Sequence, residues 1–157
     1  YLEHMFLYIW IHEHYAPFSL EYTTGAIAIV SLFFTTSSLL ASHALLDVTT
    51  LVLLPAVAAV SLVIFSYVLW MNKFPLRSNA PLLVAMTAIT TELFWTVSTL
   101  PLHFAIKGCL ITLAAYTMLE ISRAYLLKTL DKKTLQHLLM FSGTLVVLLL
   151  ATARWQL

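Results

Sequence analysis

Five runs of about twenty mostly apolar residues, each closed by a short polar or proline-bearing corner, divide this chain from residue 24 onward. A helix crosses the bilayer hydrocarbon, about 30 Å thick, with about 20 apolar residues. Inside that layer a helix satisfies its own backbone N–H and C=O groups. The runs cover about 24–46, 48–71, 81–100, 102–126 and 135–153. They predict an all-α, polytopic transmembrane helix bundle in one domain over residues 1–157. Composition agrees: 61% of residues are hydrophobic and 10% charged, against about 25% charged in a typical soluble domain. The surplus apolar surface is more than a chain this small can bury, so it faces lipid.

The connections fit short corners between spans. Asp47 alone separates the first two runs, and "NKFPLRSNAP" separates the second from the third. Pro81 suits the first turn of a helix, where its missing N–H costs nothing. Pro101 marks the break before the fourth run, and "KTLDKKT" leads into the fifth, with Asp131 or Thr134 as its N-cap. Pro55 falls inside the second run, where it frees the carbonyl of Leu51 and can kink the helix.

Charge sets an expected orientation. Lys73, Arg77, Arg123, Lys128, Lys132 and Lys133 fall on one side, and Lys107 and Arg154 on the other. Basic loops favour the cytoplasm, so the C-terminus is expected outside. Tyr22, Tyr67, Trp70 and Tyr125 would lie at the inner interface, and Trp95, Phe104 and Trp155 nearer the outer one. The first 21 residues hold Glu3, Glu13 and Glu21 and no Lys or Arg, the wrong charge for a signal peptide. They read as an interfacial helix, or as the end of an earlier span of a longer chain, which would make six spans.

Glu92 is the oddity of the third run, a carboxylate well inside a span. Such residues are costly in hydrocarbon and usually face the bundle interior with a partner. At 1.5 Å per residue it lies roughly 13 Å from Pro101. The same depth falls near Ser37 and Ser38, Val57, Thr112 and Thr144 on the other runs. With Thr91, these hydroxyls predict a polar layer around an inward-facing Glu92, serving either as a ligand- or proton-binding site or as glue between helices. Gly108 and Gly143 would let backbones approach closely.

A second set, Tyr116, Glu120 and Arg123, shares one helical face near the membrane edge, where Glu120 and Arg123 can pair locally. Lys107 is expected to snorkel outward, and His43 and His103 both fall near the outer surface. His12, Glu13 and His14 hint at a metal, yet in a helix the two histidines point apart and the zinc-protease spacing is absent. Cys109 is the sole cysteine, which leaves no intrachain disulfide and no cysteine-cluster metal site. No metal or cofactor is expected. No run of Lys and Arg resembles a nucleic-acid footprint, and no nucleophile–base signature or phosphate loop is present.

From Glu92 and Trp95, through Leu100-Pro101-Leu102, Gly108, Tyr116 and Arg123, to Thr152-Ala153-Arg154-Trp155, the second half resembles a family of multi-pass bacterial integral membrane proteins of unknown function, from candidate-phyla bacteria. The resemblance implies a bacterial inner-membrane protein and carries no activity with it. The residues themselves favour a non-enzymatic protein that binds or transports a small or lipidic molecule around a buried glutamate. Alternatives are a structural or assembly subunit of a membrane complex, and a membrane enzyme acting on a lipid-linked substrate. The expected partners are the bilayer and either another membrane protein or a second copy of the chain.

Overall fold

The structure, a computed structural model, describes residues 19–153. The described residues form five helices: α1 Ser19–Leu46, α2 Thr50–Met71, α3 Ala80–Ser98, α4 Phe104–Leu126 and α5 Lys132–Thr152. All five are long and apolar enough to cross a membrane, and the described residues form no strand. The chain is therefore an all-α, multi-pass membrane protein. The 1–18 stretch with the His12–Glu13–His14 cluster, and Arg154 and Trp155, lie outside the described residues.

Consecutive helices run up and down. The helices α1 to α4 close into a ring, α1 touching α2 and α4, and α3 touching α2 and α4. From outside the ring α5 packs on α4, and no residue of its apolar stretch is buried within the protein. A hydrogen bond joins the two: Thr117 Oγ1 donates to Ser142 Oγ at 3.0 Å.

Each ring helix buries a narrow stripe at spacings of three and four. On α2 the stripe is Leu53, Val57, Ser61, Phe65 and Val68, and on α3 it is Met86, Thr90, Phe94 and Val97. The stripes meet in two apolar clusters. One joins Ala28, Leu32, Phe65, Val68, Met86, Ala115 and Leu119. The other, toward the opposite end, joins Leu40, Leu53, Val57, Phe94, Val97 and Ile111. Between the clusters each helix places a small hydroxyl: Thr36, Ser61, Thr90 and Thr112, all buried. Thr36 and Thr90 donate to the carbonyls of Leu32 and Met86, each at 2.8 Å. A hydroxyl used this way adds no unsatisfied donor to the core, and small residues let helices approach.

The corners follow the sequence logic. Asp131 caps α5, its carboxylate accepting from the Lys132 N–H at 2.7 Å. Pro81 sits in the first turn of α3. Pro55 is carried within an unbroken α2. Lys107 Nζ donates to the Ser98 carbonyl at 2.9 Å. There it meets the electronegative end of α3, a favourable place for a cation. His43 bonds the Val48 carbonyl at 2.8 Å, and His103 caps α4 by accepting from the Ala105 N–H. Each histidine thus serves its own corner.

Candidate functional site

The set predicted around Glu92 is divided by the fold. Ser37 and Thr112 are buried between α1 and α4, while Glu92, Ser38 and Thr144 are exposed. Thr91 is half-buried and donates to the Thr87 carbonyl at 2.8 Å, and Thr144 donates to the Met140 carbonyl at 2.8 Å. The expectation of an inward-facing Glu92 is thereby corrected. Its neighbours Thr90 and Phe94 face the core, and two residues along a helix is a turn of about 200°. Helical rise gives the depth correctly, since Val57 and Phe94 do share a cluster. Rise says nothing about which face a side chain occupies.

Ser37 and Thr112 remain a polar spot in the ring. Among the described residues neither Ser37 Oγ nor Thr112 Oγ1 has a hydrogen-bond partner. Ser37 presses on the backbone at Gly108, where a Cβ would collide with its Oγ and lie 3.2 Å from its Cβ. This is a close helix contact made by small residues.

The second set, Tyr116, Glu120 and Arg123, is the one that lines a cavity. About 490 Å³ of space opens where α1, α2 and α4 meet at one end of the bundle. Cavities of roughly 300–1,000 Å³ are the usual size for small-molecule sites. Ile29, Val68, Leu69 and Leu119 form apolar wall, and Gly25, Ala26, Asn72 and Phe74 complete it. Glu120 and Arg123 are half-buried, Tyr116 is more open, and Tyr116 and Arg123 each hold an interaction of their own. Asn72 turns its Nδ2 onto the Val68 carbonyl at 2.7 Å, which leaves its side-chain oxygen as an acceptor. The arrangement pairs a greasy interior with a carboxylate, a guanidinium, an amide and a phenol.

The helix ends at this side of the bundle add cations in an unusual way. The helices α2 and α4 both end in a Schellman motif. Phe74 N–H bonds the Leu69 carbonyl at 3.0 Å and Lys73 N–H bonds Trp70 at 2.9 Å; Thr129 and Lys128 repeat the pattern on Ala124 and Tyr125. The pivot of such a motif takes a left-handed conformation that favours glycine. Here the pivots are Lys73, φ 61°, and Lys128, φ 56°. Arg77, Lys132 and Lys133, all exposed, belong to the same end.

The sequence reading singles out only Tyr116, Glu120 and Arg123 among the wall residues; Gly25, Asn72 and Phe74 are among those it misses. Gly25 is one of three glycines in the chain, and nothing lies within 4 Å of where its Cβ would be. Its lack of a side chain leaves part of the cavity open. A glycine near the start of a span, level with Tyr116 and Glu120 on an antiparallel helix, is the signal that marks it. The chain matches no family model, no curated protein and no solved structure.

Proposed function

We propose that the chain is a binding protein for a phosphate-bearing amphiphile, which it holds in the cavity between α1, α2 and α4. What supports this is one observation: the cavity sets Arg123 and Glu120 at the edge of an apolar wall. Arg123 offers the planar fork that suits a phosphate. Glu120, and the side-chain oxygen of Asn72, accept from a hydroxyl or amine of the same head group. Ile29, Val68, Leu69 and Leu119 take the first segment of an acyl chain. This keeps the expectation of a lipidic ligand near a glutamate and moves it from Glu92 to Glu120.

We further place the basic end in the cytoplasm and the C-terminus outside, in a bacterial cytoplasmic membrane. Six of the eight Lys and Arg residues stand at that end by sequence position, as basic loops favour. The resemblance of the second half to bacterial inner-membrane proteins supports the choice of membrane.

The test is native mass spectrometry of the detergent-purified chain incubated with phosphatidylglycerol, diacylglycerol or soluble glycerol phosphate. The reading expects retained phosphatidylglycerol, weaker retention of the other two, and loss on Arg123→Gln with partial loss on Glu120→Gln. Equal retention of diacylglycerol, or indifference to Arg123→Gln, contradicts it.

A further inference from the structure

Independently of the cavity, we propose that the centre of the ring holds one buried water molecule, bound by a hydroxyl from each of the four helices. The register puts those hydroxyls at one level. Thr36 stands four residues after Leu32 and four before Leu40, and Thr90 stands likewise between Met86 and Phe94. Ser61 has Val57 four residues before it and Phe65 four after, and Thr112 lies between Ile111 and Ala115. In every case one of the two neighbours belongs to each apolar cluster. All four side chains are at least nine-tenths buried: Thr36 is 1% exposed, Ser61 and Thr90 0%, and Thr112 8%.

Two of these hydroxyls call for a guest. Thr36, Thr90 and Thr117 each donate to the carbonyl four residues back. Ser61 Oγ and Thr112 Oγ1 do not, and among the described residues neither has a hydrogen-bond partner. Both atoms are buried, and buried polar atoms in folded proteins are paired with protein or with ordered water. The count of donors and acceptors suits water. Ser61 and Thr112 offer two O–H donors; Thr36 and Thr90, whose protons already serve carbonyls, offer two oxygen acceptors. A water molecule accepts two bonds and donates two, so it complements the set. A cation does not, because the layer holds no carboxylate and an unpaired charge among apolar clusters costs far more than a neutral guest. The small side chains leave the room such a guest needs. Ser61 and the three threonines fill less of the ring's axis than Leu40 and Phe94 on one side, or Leu32 and Phe65 on the other.

Thermal unfolding of the full, detergent-purified chain tests this, because a wet layer and a dry one give opposite signs. In a dry layer the two hydroxyls are orphaned and costly, so Ser61→Ala and Thr112→Val would each raise the unfolding midpoint. With the water in place each variant removes a bond to it, and each lowers the midpoint. Ser61 and Thr112 do not bond each other, yet the shared water couples them. The double variant should therefore unfold no lower than the weaker single variant. Circular dichroism should find all three variants as helical as the parent. A crystal structure of the parent should place a water about 2.8 Å from both Ser61 Oγ and Thr112 Oγ1. Raised or unchanged midpoints, strictly additive losses, or a metal ion at that point overturn the proposal.

Discussion

Ser37 Oγ stands where a Cβ on residue 108 would have to go. Of the three glycines, Gly108 is the one where an added Cβ would meet another helix, here α1. Adding one methyl to a well-fitted core costs about 1–3 kcal/mol. Gly108→Ala should therefore lower the thermal unfolding midpoint of the detergent-purified protein. The hydroxyl is the first obstacle, so Gly108→Ala should cost less in a Ser37→Ala background. A double-mutant cycle read by circular dichroism checks this, and strict additivity would contradict it.

Lys73 and Lys128 hold left-handed turns that cost an L-residue about 1–2 kcal/mol. Glycine removes most of that strain and gives part back as unfolded-state entropy. Lys73→Gly and Lys128→Gly should each stabilise the fold by about 0.5–1 kcal/mol. Thermal unfolding of the two detergent-purified variants checks this. An unchanged or lowered midpoint would contradict it.

The fifth helix hangs on α4 by few polar ties, chief among them Thr117 Oγ1 to Ser142 Oγ. Hydrogen bonds between membrane helices average about 0.6 kcal/mol and reach about 1.7. Thr117→Val should therefore loosen α5 without unfolding the ring. Hydrogen exchange should rise across Lys132–Thr152 and stay unchanged in α2 and α3. A uniform rise in all five helices would show instead that the bond supports the whole bundle.

The spans and corners are legible in the sequence because lipid demands long apolar helices and polar turns. Pro81, Asp131 and Gly108 each take the place their chemistry implies. Facing is not legible, and the reason is physical. In a soluble helix the apolar stripe marks the inside, whereas a membrane helix is apolar on both faces. In α3 the exposed Val84 and Ile89 are as greasy as the buried Met86 and Phe94, so hydropathy cannot tell that Glu92 points outward. The i, i+4 pair Tyr116 and Glu120 does fall on the face that the sequence implies. What gives it meaning is the space across from it, left by Gly25 on a helix far away in the chain.

The most direct measurement compares two glycine substitutions. At both Gly25 and Gly143 nothing lies within 4 Å of the position a Cβ would take, so the first carbon of a leucine fits at either. Only Gly25 lines the cavity. Native mass spectrometry should find phosphatidylglycerol retained by Gly143→Leu and lost from Gly25→Leu, with both variants as helical as the parent. Full retention by Gly25→Leu would contradict the cavity as the binding site.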